Sequence, residues 1–273
     1  MGQASFATIG DNTIDEYVQA DVPHSYVGGN AVNVAVQLCR QGHDSWYAGA
    51  VADDAAGRRI RAALDAQGVR TTELVVLPGH TSTSRVIVRP DGDRFFEWED
   101  FGVCADYRPR PADLEQLRHC VVVHIGMLSD AGPVRAWLAA HGVLVSQDCA
   151  VTAGFSDLDV AFCSAGEDLE LARTQAREAV SAGARVAVAT CVAQGSVGFD
   201  GDSWWRVSAA PATVIDTTGA GDSYIAGFLA RFAVGAEVGE CMRAGAAVAA
   251  RTCEHLGSWP QPDGPRSDEE GPP

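Results

Sequence analysis

A glycine-rich segment near the carboxyl-terminal end of the chain carries the residues best suited to chemistry. An apolar run ends at Asp216, two threonines follow, and Gly219, Ala220 and Gly221 lead directly to Asp222. Apolar residues then recur at the spacing of one helix face, so the glycines open a helix whose N-terminus suits a phosphate. Asp222 would repel that phosphate, but it can take the proton of a hydroxyl that attacks it. A plain helix N-cap is the alternative role, and it leaves the glycines unexplained.

A second glycine turn, Gly28 and Gly29, opens another helix near the start of the chain. Asn30 and Asn33 are three residues apart, so both face the same side of its first turn. Asn33 lies in a run of alanine and valine, where an amide is a poor helix residue unless its polar groups are used. N-capping by Asn30 is the simple alternative, and it does not explain Asn33.

Two acids follow the first apolar run. Asp11 and Asp15 come after 6–9, which reads as a buried strand. In α/β folds, ligands bind beyond the carboxyl ends of the strands. Asp11 is equally well explained by turn chemistry, whereas Asp15 lies past the turn in an alternating segment.

The elements that must position these residues alternate between strands and helices over most of the chain. This pattern predicts an α/β fold with a mostly parallel sheet covered on both faces. Short β-type runs interrupt it between 74 and 107, with a hairpin turn at Asp91 and Gly92. We predict one domain over 1–257, with a small β lid from about 12–27 and 74–107, and a disordered tail over 258–273.

Composition limits the classes of partner. The 273 residues carry a formal net charge of −16 with a pI near 4.7, which argues against nucleic acid and anionic membranes. Lysine is absent, so cationic help must come from arginine, a metal ion or helix N-termini. The eight cysteines form no C-x-x-C pair and the seven histidines are scattered, so we expect free thiols and no histidine-built metal site. No run is long enough to span a bilayer, and we expect a soluble cytoplasmic protein.

The two glycine segments, 28–33 and 216–223, resemble the two signatures of the ribokinase-like (PfkB) carbohydrate kinases. The resemblance extends from Ile9 to about Trp259. It implies a three-layer, Rossmann-like ribokinase fold with a mostly parallel central sheet and a small β-sheet lid, through which many members form a homodimer. It also implies transfer of the γ-phosphoryl group of ATP to a small-molecule sugar, with Mg²⁺. Within the family, the chain is most similar to the fructoselysine 6-kinases, which implies the 6-hydroxyl of a ketosamine as acceptor.

The resemblance assigns a role to each matching residue. Asp222 would be the general base, and the N–H groups of Gly219, Ala220 and Gly221 would form the anion hole. The residues implied to bind the sugar are Asp11, Asp15, Gly28, Gly29, Asn30 and Asn33. Arg94, on the predicted lid turn, is a candidate for a substrate carboxylate, and a solvated surface charge is the alternative. Those implied at the nucleotide are Thr190, Gly195, Ser164 and Glu167. Glu167 would also contact Mg²⁺ through water, and Asp216 with the carbonyl of Thr218 and carbonyls near 253–257 would bind a monovalent cation such as K⁺.

Two positions depart from the family pattern. Ser164 stands where the family has an asparagine, and Val192 stands where its nucleotide loop has a glycine. Valine tolerates neither a positive φ nor a close phosphate well. Two alternatives therefore stay open: a PfkB kinase for a ketohexose, ribose or a nucleoside, and a catalytically weak sugar- or nucleotide-binding protein.

Overall fold

The computed structural model describes residues 5–18, 24–88 and 94–262, without the side chains of Val88 and Arg94. The strands are β1 Ser5–Ile9, β2 Thr13–Val18, β3 His24–Gly28, β4 Asp44–Val51, β5 Leu74–Val76, β6 Thr83–Val88, β7 Arg94–Asp100, β8 Val122–Ile125, β9 Leu144–Asp148, β10 Val160–Ser164, β11 Val186–Thr190, β12 Ser196–Phe199 and β13 Trp204–Val207. The helices are α1 Asn30–Arg40, α2 Ala55–Ala66, α3 Pro111–Leu117, α4 Ala131–Ala140, α5 Leu169–Ser181, α6 Ala220–Phe232 and α7 Val238–Thr252.

A central sheet of nine strands runs in the order β13-β12-β11-β10-β9-β8-β1-β4-β5. The pairs from β5 to β11 are parallel, and β12 and β13 add an antiparallel hairpin at one edge. Parallel strands covered on both faces read as continuous apolar runs, and β8 and β11 are such runs. The carboxyl ends of β1, β8, β9, β10 and β11 consequently meet at one edge of the sheet.

Helices cover both faces of this sheet, which gives the predicted three layers. Leu117 of α3 and Leu138 of α4 pack on one face with the alanines of α5. Leu38 of α1, Phe228 of α6 and Met242 of α7 pack on the other face. Burying each of these large side chains contributes about 1.5–3 kcal/mol, so the layers are held chiefly by hydrophobic packing. In the part of the chain that the structure describes, no helix has the length and apolarity needed to cross a membrane.

The lid is a separate four-stranded sheet in the order β3-β2-β6-β7. Strand β2 pairs antiparallel with β3 and parallel with β6, and β6 pairs antiparallel with β7. Tyr17, Tyr26 and Val86 form a small core on its inner side. The segment predicted to belong to the lid at about 12–27 therefore contributes β2 and β3 to this sheet.

Two predicted boundaries differ from the structure. Leu74–Val76, assigned to the lid, pairs with β4 at the edge of the central sheet, because its apolar side chains extend that sheet. Ser258 and Trp259, assigned to the tail, are about 1% exposed, and Gln261 bonds the backbone of Val27. The predicted hairpin turn at 91–92 and the rest of the predicted disordered tail lie outside the described residues.

Candidate active site

The candidate site is a pocket of about 270 Å³ between the carboxyl ends of the central strands and the lid. Residues that end or follow β1, β8, β9, β10 and β11 form its floor, and residues of β2, β6 and β7 form its roof. Open α/β sheets bind their ligands at this edge. The predicted site residues that line the pocket are Asp11, Asp15, Gly29, Asn30, Asn33, Ser164, Thr190, Thr218, Gly221 and Asp222.

Asp222 lies in the first turn of α6 and is held by two amides of α1. The Asn30 Nδ2 group donates to Asp222 Oδ1 at 2.7 Å, and the Asn33 Nδ2 group donates to Asp222 Oδ2 at 2.6 Å. Their three-residue spacing places both amides on one side of the helix. The contact explains why an amide interrupts the alanine and valine run of α1.

The oxygen atoms of the same two amides have no protein partner. Oδ1 of Asn30 and Oδ1 of Asn33 are buried and accept no hydrogen bond within the described chain, although both residues line the pocket. An unsatisfied buried polar atom costs about 1–3 kcal/mol, so these oxygens suit the hydroxyl groups of a bound ligand. Their nitrogens donate to Asp222, and their oxygens have no protein donor among the described residues.

The turn that opens α6 has backbone N–H groups without acceptors in the described part of the chain, and its Gly221 lines the pocket. Gly219 has φ 72°, and a Cβ there would lie 2.4 Å from the Cβ of Ser258, so the position requires glycine. The N–H groups of Gly219 and Gly221 have no acceptor among the described residues, and Gly221 faces open space. The Ala220 N–H differs from the prediction, because it donates to the carbonyl of Thr217 at 3.2 Å. Two of the three predicted donors are thus available at the positive end of α6.

Asp11 caps α1 from the end of β1. Its carboxylate accepts from the backbone N–H groups of Asn30 at 2.7 Å, Ala31 at 3.2 Å and Met127 at 3.1 Å. Burial raises the pKa of Asp11, and these backbone donors oppose the rise. Because both oxygens are engaged by the backbone, Asp11 positions α1, and the turn chemistry considered for it describes its contacts better than direct substrate binding.

The glycine pair before α1 makes room for neighbouring groups. A Cβ at Gly28 would lie 2.1 Å from Oδ2 of Asp15, and a Cβ at Gly29 would lie 2.5 Å from the Cα of Asn12. Gly29 also has φ 104°, which favours glycine. Asp15 lines the pocket from the lid side and accepts a hydrogen bond from Ser84. The two glycines therefore allow neighbouring groups to approach closely, and the predicted contact of Asp15 with the sugar stays a prediction.

The predicted nucleotide loop follows β11. Thr190 ends that strand and lines the pocket, while Gly195 has φ 88° and sits where a Cβ would meet the carbonyl oxygen of Val207 at 2.0 Å. Val192 lies between them with φ 43° and is 62% exposed. The steric conflict expected from the sequence is present: a β-branched residue occupies a left-handed conformation that favours glycine.

The other predicted nucleotide residues end β10 or follow it. Ser164 lines the pocket at the end of the strand. Glu167 lies in the turn before α5, is exposed and is not among the pocket-lining residues. Its predicted contact with Mg²⁺ through water stays a prediction.

Asp216 was predicted to bind a monovalent cation, and that role stays a prediction. The side chain is completely buried, and both of its oxygens lie within hydrogen-bond distance of protein donors. Oδ1 accepts from the N–H and hydroxyl of Thr218, Oδ2 accepts from the Gly257 N–H at 2.8 Å, and the Tyr17 hydroxyl lies 3.0 Å from Oδ2. A carboxylate offers about four lone-pair sites, so these donors leave at most one of them for a cation. The nearby carbonyl of Cys253 likewise accepts from the Ile215 N–H at 2.8 Å.

Asp148 is a site residue that the sequence reasoning did not select. It ends β9, lines the pocket and accepts from the same Asn30 Nδ2 group, 2.7 Å from its Oδ2. Asn30 therefore joins Asp148 to Asp222. Burial raises the pKa of Asp148 to about 6. The sequence did offer one signal for Asp148: it is an acid at the end of a buried strand, the same pattern that indicated Asp11.

The lid supplies further pocket residues that the sequence reasoning missed. Ser84, Phe96, Glu99 and Asp100 of β6 and β7 line the roof. Arg94, the predicted partner of a substrate carboxylate, is the first residue of β7, but its side chain lies outside the described part of the chain. That contact stays a prediction.

Known proteins with similar sequence or structure include several carbohydrate kinases. The family model for the pfkB family carbohydrate kinase matches residues 2–141 and 144–262. The fructoselysine 6-kinase of Shigella flexneri is 35% identical over 268 residues, covering 93% of this chain and 99% of that protein. Ribokinase of Arabidopsis thaliana, complexed with ribose and ATP, matches 94% of each chain with a TM-score of 0.83 at 21% identity. A putative ribokinase II of E. coli in complex with ATP and Mg²⁺ has a TM-score of 0.79 at 21% identity, over 93% of this chain and 94% of its own.

Proposed function

The chain belongs to the pfkB family of carbohydrate kinases, and on that premise we propose that it transfers the γ-phosphoryl group of ATP to the 6-hydroxyl of a ketosamine such as fructoselysine. Fructoselysine 6-kinase relatives match nearly the whole chain. The main support for a ketosamine substrate is the negative charge of the residues that line the pocket.

Asp222 is the proposed general base. Its two oxygens are fixed by Asn30 and Asn33, so the carboxylate is oriented before a substrate binds. A substrate hydroxyl beside Asp222 would lose its proton to the carboxylate as its oxygen attacks phosphorus, and the bond from phosphorus to the leaving oxygen of ADP would break. General-base catalysis of this kind contributes about 10²–10⁴-fold to the rate.

The N–H groups of Gly219 and Gly221 are the proposed stabilisers of charge on the transferred phosphoryl group. They lie at the N-terminus of a 13-residue helix, whose dipole favours an anion. Preorganised donors aimed at developing charge are worth about 2.7–4 kcal/mol each by analogy with oxyanion holes. With no lysine in the chain, these backbone groups carry most of the protein's share of the stabilisation.

Ribokinase-like kinases use ATP with Mg²⁺, and the residues present are compatible with both. Mg²⁺ is usually held by one or two carboxylates, several waters and the phosphates themselves. Asp148 lines the pocket beside the proposed base, and Glu167 stands at the exposed turn after β10. We propose that these two acids contact the ion through water, where it neutralises phosphate charge.

The pocket is acidic, which favours an amine-bearing sugar. No arginine or histidine is among its described lining residues. Six lining residues are acids: Asp11, Asp15, Glu99, Asp100, Asp148 and Asp222. A ketosamine carries a protonated secondary amine near neutral pH, and opposite charges attract more strongly in a partly dehydrated pocket. Fructose and ribose lack that cation and gain nothing from the lid acids Glu99 and Asp100.

The test compares sugar substrates with and without a protonated amine. Coupled ADP release would be measured with fructoselysine, its N-acylated neutral analogue, fructose, ribose and nucleosides, and ³¹P NMR would locate the new phosphate. We expect kcat/KM for fructoselysine to exceed that of the neutral analogue by about tenfold or more. A preference for ribose or a nucleoside would reject the ketosamine assignment, and sugar binding without turnover would favour a catalytically weak binding protein.

A homodimer through the lid is a further proposal. Phe95 is 50% exposed and Trp98 is 39% exposed on β7. Large exposed apolar side chains favour association. Sedimentation velocity on the native chain, compared with a Phe95→Ser variant, would test it: a monomeric native chain contradicts the proposal.

A further inference from the structure

A tyrosine of the lid contacts the loop that leads into the anion hole. Tyr17 lies on β2 and is 1% exposed. Its hydroxyl is 2.7 Å from Oγ1 of Thr218 and 3.0 Å from Oδ2 of Asp216, and its single proton can be donated to either oxygen. Thr218 immediately precedes Gly219, the first residue of the anion hole. The contact thus joins two segments about 200 residues apart in the chain.

Asp216 is the centre of this network. Its Oδ1 accepts from the N–H of Thr218 at 2.9 Å and from the hydroxyl of Thr218 at 2.7 Å, which closes the loop onto itself. Its Oδ2 accepts from the Gly257 N–H and is one of the two oxygens within reach of the Tyr17 hydroxyl. Because Asp216 and Thr218 are at most 2% exposed, water cannot replace a lost donor easily. The Tyr17 hydroxyl is the lid's contribution to a loop that is otherwise held by its own residues, by Gly257 and by the carbonyl of Cys253.

Strand β2, which carries Tyr17, also contributes a residue to the pocket. Successive side chains of a strand alternate between its two faces, so Asp15 and Tyr17 lie on one face of β2. Asp15 lines the pocket, and Tyr17 reaches the loop. Two residues of one strand therefore connect the surface proposed to contact the sugar with the turn proposed to receive the phosphoryl group.

We propose that Tyr17 is a positioning residue that fixes the anion-hole turn through Asp216 and Thr218 and couples it to the lid. The inference rests on the proposed function of Gly219 and Gly221 as phosphoryl stabilisers. Displacing a catalytic group by about 1 Å can cost on the order of 10²-fold in rate, so a single hydroxyl that holds the turn can have a large effect.

Tyr17→Phe removes only the hydroxyl. The ring of Tyr17 packs edge-on against Tyr26, with ring centroids 5.2 Å apart, and against Val86, and phenylalanine keeps both contacts. Tyr47→Phe is the matched control. Tyr47 is also fully buried. Its hydroxyl donates to the carbonyl of Gly10 at 2.9 Å and accepts from Nδ2 of Asn12 at 2.9 Å, so this variant also loses buried hydrogen bonds, but away from the anion-hole turn.

The first measurement is kinetic, with whichever sugar the native enzyme turns over. We expect Tyr17→Phe to lower kcat by about tenfold or more while the KM for the sugar changes by less than about threefold, because the hydroxyl acts on the phosphoryl site. Tyr47→Phe should keep kcat. A kcat for Tyr17→Phe within twofold of the native enzyme, or equal losses in both variants, would overturn the proposal.

The second measurement does not depend on activity. Hydrogen–deuterium exchange of the peptide over 215–223 should speed up about tenfold or more in Tyr17→Phe relative to Tyr47→Phe, because the turn loses its lid contact. Unchanged exchange there would overturn the inference. If exchange speeds up while the native enzyme phosphorylates no sugar, the positioning role stands and the proposed function fails.

Discussion

Nδ2 of Asn30 lies 2.7 Å from Oδ1 of Asp222, and this contact joins the two glycine turns of the chain. The amide belongs to the first residue of α1 and the carboxylate to the first turn of α6, and the two helices pack against each other. A base held by donors on a rigid neighbouring helix is oriented before its substrate arrives. The remaining pocket groups are arranged around this fixed carboxylate.

Replacing the base is the most direct test of that arrangement. We expect Asp222→Asn to lower kcat by about 10²–10⁴-fold, because an amide cannot accept the proton of the substrate hydroxyl. Sugar binding measured by calorimetry should be retained. Asp202→Asn, at an exposed turn, is the control and should leave kcat unchanged. A kcat for Asp222→Asn within tenfold of the native value would contradict the assignment.

Local spacing predicted the parts of the site that lie close together in sequence. The glycines before Asp222 and the pair Asn30 and Asn33 each fall within one helix turn, so their patterns identify them. Asp148 could not be selected in the same way, since its partner is 118 residues away and a single acid after a strand also fits a turn. The contact of Tyr17 with Asp216 and Thr218 could not be predicted either, because these residues are also far apart in the sequence.

The alternation of strands and helices in the sequence predicted the fold, but it did not predict where the second lid segment begins. Alternating strands and helices predicted the parallel sheet and its three layers. The short run at 74–76 has the same β-type composition as the lid strands, and only its pairing with β4 assigns it to the central sheet. Strand partners are chosen by tertiary packing, which one sequence does not display.

Asp148 is expected to act through Asn30. Asp148→Ala should lower kcat by about tenfold, because Asn30 loses an acceptor and the orientation of Asp222 loosens. Asp148→Asn keeps an acceptor oxygen for Asn30 and for a metal-bound water, so it should lose less activity than Asp148→Ala. Steady-state kinetics on both variants, with melting temperatures as a check on folding, would measure this. Equal losses would instead show that the charge of Asp148 is needed directly.

Replacing Val192 by glycine is expected to maintain or raise the stability of the protein. A left-handed backbone conformation destabilises a β-branched residue by about 1–2 kcal/mol, and glycine removes this strain. Glycine also raises the conformational entropy of the unfolded chain, which offsets roughly 0.5–1 kcal/mol of the gain. Val192→Gly should therefore leave the free energy of unfolding unchanged or raise it by about 1 kcal/mol. Removing the side chain should also lower the KM for ATP.

Val234→Gly is the matched control for that variant. Val234 is 64% exposed, close to the 62% of Val192, but its φ is not positive. We expect its replacement to lower the free energy of unfolding by about 0.5–1 kcal/mol, measured by urea denaturation. If Val192→Gly destabilised the protein as much as Val234→Gly, the strain at Val192 would be negligible.

Activity is expected to be independent of monovalent cations. The oxygens of Asp216 are held by Thr218 and Gly257, and the carbonyl of Cys253 accepts from the N–H groups of Ile215 and Asp216. Replacing KCl by tetramethylammonium chloride at constant ionic strength should change kcat by less than about twofold, since these oxygens already serve protein donors and have few lone pairs left for a cation. Activation by K⁺ of tenfold or more would show that the loop rearranges to admit the ion.

The raised pKa of Asp148 predicts a pH-dependent stability. Its folded-state pKa of about 6 exceeds the ordinary value of 3.8, so between these values the folded protein binds more protons than the unfolded chain. The free energy of unfolding contributed by this group therefore falls as the pH rises through 6. Asp148→Asn cannot titrate, so its stability relative to the native protein should rise by on the order of 1–2 kcal/mol between pH 4.5 and 7.5. Urea denaturation at both pH values measures the difference, and Asp202→Asn should show none; a constant difference for Asp148→Asn would mean that the carboxyl titrates normally.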